Sequence, residues 1–444
     1  MGAITVLLLA PLGAAVQARE TSPLPVGTTT RLSLSTSEHQ GDGPSRAVAI
    51  SANGRYVAFS SHASNLVPGD TNRRADVFVR DRVSGTTQRV SVSNSEKQAD
   101  VASAEPAISG DGRYVVFQSF AANLVPRDTN RRADIFIRDL ELGTTRRVSV
   151  SSAEEQAKGS SALATISADG RFVAFFSYAG NLVPEPTNDR GGGVFVRDLK
   201  LGTTVLASVA SDGEAGDVGG YGPAISANGR YVAFESFSTN LVPNDTNETT
   251  DAFVRDLKLG TTTRVSVSSR ERQSAAGGYD VGISARGRYV VFLSYGSDLV
   301  RGDTNSRDDV FIRDRKLGTT RRVSVSSTER QADEESYSPV VSANGRYVAF
   351  ASFATNLVAG DTSRQLRTPG DVQDEDCFVR DRTLGTTTMV SVSSTGDQGT
   401  WGSYGPSISR DGRYIAFVSY APNLVPHDTN HTYDVFLRDR GAAR

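Results

Sequence analysis

Carboxylates and amides recur at a fixed spacing in this chain, in a loop of the form NLVPxDTNxxxD. Its copies carry Asp70, Asn72 and Asp76; Asp128, Asn130 and Asp134; Asp245, Asn247 and Asp251; Asp303, Asn305 and Asp309; and Asp428, Asn430 and Asp434. A sixth copy holds Asp361, Ser363 and Asp376, with a nine-residue insertion falling within 364–375. Oxygen donors at i, i+2 and i+6 on a curved loop can wrap Ca²⁺, which takes about six to eight oxygens. Asp and Asn at such positions equally close Asx-turns on their own backbone. The glycine and the terminal glutamate of an EF-hand loop are missing. In one further copy Pro186 and Gly193 stand where the carboxylates would be, so that loop is expected to hold no cation.

Other groups capable of chemistry are few. The four histidines are His39, His62, His427 and His431, and the last three approach one another if the two ends of the chain meet. They read either as metal or acid–base groups or as exposed loop residues. Cys377 is the single cysteine, which excludes an intrachain disulfide. It is either a nucleophile or a small apolar residue in the strand position of Val77. Arg55 and the pair Arg80-Asp81 recur seven times. A reaction does not need its residue seven times, so these read as structural. Asp81 is expected to accept backbone N–H groups before Gly85, with Arg55 pairing to it. Gln40, Gln98, Gln156, Gln273, Gln331 and Gln398 recur between units and read as amides bonding neighbouring loops. Trp401, Tyr404, Tyr221, Tyr279 and Tyr337 fall in the same connections, where aromatic rings suit a peptide or carbohydrate, or pack along a channel. There is no G-x-S-x-G, and the sequence assembles no nucleophile–base pair or metal triad.

The elements that carry these residues repeat. An ISxxGR(Y/F) start falls at Ile50, Ile108, Ile166, Ile225, Ile283, Val341 and Ile408, with spacings of 58, 58, 59, 58, 58 and 67 residues. One unit reads as four strands: Val48 to Ile50, a tight turn at Asn53-Gly54, Arg55 to Ser60, Asp76 to Arg80, and Gln88 to Ser93 after Gly85-Thr86-Thr87. Val77, Phe78 and Val79 are apolar in succession, which predicts cover on both faces of the third strand. Val90 and Val92 alternate with Arg89, Ser91 and Ser93, which predicts one wet face and an outer edge. Seven GTT segments start at Gly27, Gly85, Gly143, Gly202, Gly260, Gly318 and Gly385, the first ahead of any unit, while the last unit ends at Arg440 without one. The ends complement each other. Four-stranded units arranged radially make a β-propeller, so the expectation is an all-β, seven-bladed propeller closed by its N-terminal strand. The two long connections of each blade then share one face, the expected working surface.

ISANGRYVAF followed by DVFVRD and TTxRVSVS resembles the PD40, or WD40-like, repeat of bacterial exported propellers related to TolB. The resemblance covers Gly27 to Arg440 and implies the propeller fold; its functional content is thin, since propellers host unrelated activities. TolB-like proteins carry a further N-terminal α/β domain, and propeller peptidases an α/β-hydrolase domain, neither of which is seen in this sequence. Residues 1–18 read as a signal peptide, with Val16-Gln17-Ala18 at the cleavage site and no Lys or Arg before the apolar run. Residues 19–26 read as a leader and 27–444 as one propeller domain. The expectation is an exported, monomeric protein, periplasmic or extracellular, without a membrane span. A net charge of −2 gives no electrostatic case for nucleic acid or an anionic membrane. A binding module for a protein, peptide or glycan on the long-loop face is the leading reading. An enzyme at the channel mouth, lyase or hydrolase, and a calcium-stabilised surface protein are the alternatives.

Overall fold

The computed structural model describes residues 27–441 apart from 186, 188–190 and 363–373. The proposed signal peptide and leader therefore lie outside the described residues, as does most of the insertion. The described residues form seven antiparallel sheets of four strands each. In blade one the inner strand is Ser45–Ile50, followed outward by Tyr56–Ser61, Asp76–Asp81 and Thr86–Arg89. Blade seven takes its inner three strands from Ser403–Ile408, Tyr414–Ser419 and Asp434–Asp439, and its outer strand is Thr28–Arg31. Thr28 pairs with Asp439 and Arg31 with Phe436, so the first strand closes the ring against the last. Leu32 N extends the ladder to Val435 O at 2.7 Å.

Strand alternation explains how blades stack. Val57, Phe59 and Phe78 of blade one point toward blade seven and share a core cluster with Ala416, Val418, Val435 and Leu437. Ala58, Val77 and Val79 point the other way and pack on Val115, Phe117 and Phe136 of blade two. The third strand is covered on both faces, as its unbroken apolar run predicts: Val77, Phe78 and Val79 are buried. Phe59 and Phe78 stack at 5.9 Å, and every blade has an equivalent pair.

The outer strand differs from the expectation. It spans Thr86–Arg89 rather than Gln88 to Ser93, and its exposed residues are Thr86 and Gln88. Val90, Ser91, Val92 and Ser93 are all buried. Val92 bridges to Gln98 in a tight return that tucks the segment under the long loops. The alternation at 90–93 therefore reflects a buried loop, whose serines are spent on hydrogen bonds: Ser91 Oγ donates to Asp76 Oδ1 at 2.5 Å.

On the short-turn face each hairpin turn contacts its neighbours. Ala52 N donates to Gly110 O at 3.0 Å, Gly110 N to Ala168 O at 3.0 Å, and Ala168 N to Ala227 O at 3.0 Å. Ala285 N, Ala343 N and Arg410 N continue the ring to Ala343, Arg410 and Ala52 at 3.2, 3.0 and 3.0 Å. The turn glycine seats the tyrosine of the preceding blade: a Cβ on Gly112 (φ +82°) would lie 2.1 Å from the Tyr56 ring. Below it, Arg55 donates to both oxygens of Asp81 at 2.9 and 2.7 Å, and Asp81 accepts Val83 N at 2.9 Å, as expected. These bonds hold the Asp81 carboxyl well below the usual range. Arg80 reaches back to the preceding connection, donating to Ser35 O at 2.8 Å and pairing with Glu38.

Candidate binding face

The long loops close over cages built from the repeated polar residues. In blade one Gln98 Nε2 donates to Asp70 Oδ1 at 2.9 Å and to Asp76 Oδ2 at 3.2 Å. Asn72 Nδ2 donates to Asp76 Oδ2 at 2.9 Å and to Ala99 O at 3.0 Å, while its Oδ1 accepts Arg74 N at 2.8 Å. The amide nitrogens face the carboxylates and the Asn oxygen closes an Asx-turn. A guanidinium completes the cage: Arg89 Nη2 lies 3.7 Å from Asp70 Oδ2. The pattern recurs with Arg147 at Asp128 and Asp134, Arg264 at Asp245 and Asp251, Arg322 at Asp303 and Asp309, and Arg31 at Asp428 and Asp434. Asn130, Asn247, Asn305 and Asn430 take the role of Asn72. The positive charge between each carboxylate pair is thus supplied by the outer strand, a residue the spacing argument did not connect to these loops. Among the described residues no group of three or more His, Cys, Asp or Glu is arranged to hold a metal ion.

The remaining candidates separate. His39, His62, His427 and His431 are all exposed. Cys377 is fully buried in the Val77 position, paired across the sheet with Ala351, and burial pushes its thiol well up. Tyr221, Tyr279, Tyr337 and Tyr404 lie at or near the start of inner strands, not in the connections. Only Trp401 lies in a connection, edge-on to Tyr420 at 5.8 Å.

What the sequence reading missed is a ring of aromatics one residue beyond the second strand: Phe120, Tyr178, Phe237, Tyr295, Phe353 and Tyr420, with His62 in blade one. Their backbones bond the residue before the inner strand, as Tyr178 N does to Ser160 O at 3.0 Å, which places them beside the channel mouth on the long-loop face. Phe120, Tyr178, Phe237 and Tyr295 are 51–59% exposed, in contrast to the fully buried phenylalanines two to three residues earlier. The signal was present as a recurring S(F/Y) after each second strand. The ring continues inward through Tyr420, Tyr433 and Tyr404, with centroids 5.3 and 5.6 Å apart, and Arg46 covers Tyr433 at 4.6 Å.

The channel wall has its own device. Each inner strand carries one residue with left-handed backbone: Ala47, Glu105, Leu163, Gly222, Asp280, Ser338 and Gly405, with φ of 49–59°. Each interrupts the ladder to the second strand. In blades four to six these positions link up: Asp280 N donates to Glu235 Oε2 at 2.7 Å, and Ser338 N to Asp280 Oδ2 at 3.0 Å. Crowding by protein and then the Glu235 charge push Asp280 up to about 6. The Tyr279 hydroxyl donates to Asp308.

No known family model matches the chain, and no curated protein does. Solved structures match in fold. The β-propeller domain of the Trilobed protease from Pyrococcus furiosus, described as having an open velcro topology, is 10% identical, with 89% of this chain and 95% of that chain covered at a TM-score of 0.52. An oligogalacturonate lyase in complex with manganese is 11% identical, with 94% and 91% covered at 0.51. TolB from Acinetobacter baumannii is 15% identical over 63% of this chain, and the chain spans 53% of that protein's length; a TM-score of 0.37 carries no argument beyond the blade count already described.

Proposed function

We propose that this chain is an exported binding module whose long-loop face docks a peptide or protein segment on the aromatic ring around the channel mouth. The observation that carries it is the exposure of Phe120, Tyr178, Phe237 and Tyr295 in one circle, since large apolar surface left open on a rigid scaffold marks an interaction site. On the opposite face the exposed apolar residues, such as Leu142, Leu201 and Leu259, stand singly at blade tips. The proposal assigns no calcium to the five Asp–Asn loops, because an arginine of the chain already stands between each carboxylate pair. Export rests on the apolar stretch before Val16-Gln17-Ala18. Among the described residues no helix is long and apolar enough to cross a membrane.

The variant F120S/Y178S/F237S/Y295S tests the reading on peptide and glycan arrays. Loss of the wild-type binders with an unchanged melting midpoint is expected, on peptides rather than glycans. An unchanged binding profile removes the aromatic ring from the function. A second reading, an enzyme at the channel wall, is favoured by the Glu235–Asp280 pair, since carboxyls displaced toward neutrality suit general acid–base work.

A further inference from the structure

Blade six departs from its sisters where five of them agree. In blades one, two, four, five and seven the outer strand ends in Arg89, Arg147, Arg264, Arg322 and Arg31, each between two carboxylates. Blade three has Leu206 there and has also lost both carboxylates, to Pro186 and Gly193. Arginine and carboxylates leave together. Blade six has Met389 in the arginine position, paired with Phe378 as Arg89 is with Phe78, yet keeps Asp361 and Asp376. It also has Asp374 and Glu375 where blade one has Arg74 and Ala75.

Two further observations point to a ligand. Glu375 is 7% exposed, and its buried Oε2 has no hydrogen-bond partner, although the Tyr337 hydroxyl bonds the same carboxyl group. Glu375, Asp374, Asp376, Thr362, Gln398 and Trp401 also line a cavity of about 250 Å³. Water takes about 30 Å³ each, so this space exceeds a bare metal ion and suits the end of a long side chain. The frame is that of the sister blades: Gln398 Nε2 donates to Asp361 Oδ1 at 3.0 Å and to Asp376 Oδ2 at 2.7 Å. Trp401 adds an aromatic wall, the surface a guanidinium or ammonium stacks on.

We infer that this cavity receives a basic side chain of the docked peptide, whose guanidinium or ammonium takes the seat that the arginine fills in the other blades. The inference rests on the reading of the long-loop face as a docking surface and adds the chemistry of one contact. The same chemistry has a second source, Arg364 and Arg367 of the insertion, and the test separates the two.

Trp401 is the only tryptophan in the chain, so its fluorescence reports on the cavity directly. The full chain is titrated with acetyl-Ala-Arg-Ala-amide and with the citrulline counterpart, which keeps the shape and removes the charge. A saturable change with the arginine peptide is expected, at least tenfold weaker with citrulline and in E375Q. In M389R, which restores the blade's own guanidinium, the response is lost while the melting midpoint is maintained or raised. R364A/R367A binds as well as the parent or better. The inference is overturned by an absent response in the parent chain, by undiminished binding in M389R, or by binding that appears only in R364A/R367A, which would make the insertion the natural occupant. A response to CaCl₂ alone that the peptide does not compete with overturns it too. F120S/Y178S/F237S/Y295S leaves every cavity residue in place, so loss of array binding there with retained arginine-peptide binding separates failure of one reading from failure of the other.

Discussion

Replacing Arg322 by Met converts the cage of blade five into the arrangement of blade six and isolates the worth of one guanidinium. Arg322 Nη1 lies 3.2 Å from Asp303 Oδ1 and 3.1 Å from Asp309 Oδ2, and Nη2 donates to Gly302 O at 3.1 Å. Both carboxylates are buried, Asp309 completely. At an effective dielectric of about 20, two charges some 3 Å apart attract by about 5 kcal/mol, and desolvation offsets much of that. Removing one partner of a buried pair costs about 3–5 kcal/mol, because the other charge stays behind. R322M is therefore expected to lose about 3–5 kcal/mol at pH 7.5, read from the urea midpoint. The loss depends on pH with a definite sign. Burial holds Asp309 at about 6 even with the arginine present, above its unfolded value of about 3.9. A carboxyl raised in the folded state takes up its proton there first, so stability rises as pH falls from about 6 toward 4. Without Arg322 the folded value climbs further, and the window widens upward. Each unit is about 1.4 kcal/mol, so lowering the pH from 7.5 to 5.5 recovers up to about 2.7 kcal/mol of the deficit. D303N/D309N/R322M, which removes both charges with their partner, is expected to be more stable than R322M at pH 7.5. A deficit in R322M below about 1 kcal/mol that does not change with pH refutes the reasoning.

Two other substitutions probe the scaffold. G112A adds a methyl group 2.1 Å from the Tyr56 ring at φ +82°, whereas G69A, at φ +73°, meets nothing within 4 Å. Both incur the left-handed cost of about 1–2 kcal/mol, and G112A adds about 1–3 kcal/mol of overpacking; equal urea midpoints would remove the inter-blade seat from the account. Cys377, buried with its thiol pushed up, is expected to resist an aromatic disulfide reagent in the native chain and to react with one equivalent in urea. Native-state reaction on the timescale of minutes would contradict its burial.

Much of the fold was readable because the repeat states each rule seven times. Gly27-Thr28-Thr29 ahead of the first unit and Arg440 at the end of the last located the closure without any coordinates. The run Val77-Phe78-Val79 announced a strand buried on both faces. The segment Val90 to Ser93 misled, because alternation of valine and serine also fits a buried loop whose hydroxyls are all bonded, and periodicity reads polarity, not exposure. The carboxylate loops were legible as ligands for a cation but not as to which one. Asp70 and Arg89 are nineteen residues apart on different elements, and only the sheet register brings the outer strand's last residue over the loop. The aromatic ring escaped because Phe120 follows the apolar strand Tyr114–Ser119 and looks like its continuation. The chain turns at that point, so the side chain ends up in solvent.

The seven blades act as controls for one another, and that decides which residues bear on function. A feature kept in every blade, such as the Arg55–Asp81 pair or the Phe59–Phe78 stack, answers to the geometry of stacking one sheet on the next. A feature lost as a set, as in blade three with Leu206, Pro186 and Gly193, shows that the cage is dispensable provided no charge is stranded. Blade six breaks that rule by losing the arginine alone and adding acidic residues around the gap. In a core, an uncompensated carboxylate costs stability without return. Its retention beside a cavity and an exposed tryptophan, on the face where the aromatic ring stands, is consistent only with a positive group that arrives from elsewhere, and M389R asks whether it does.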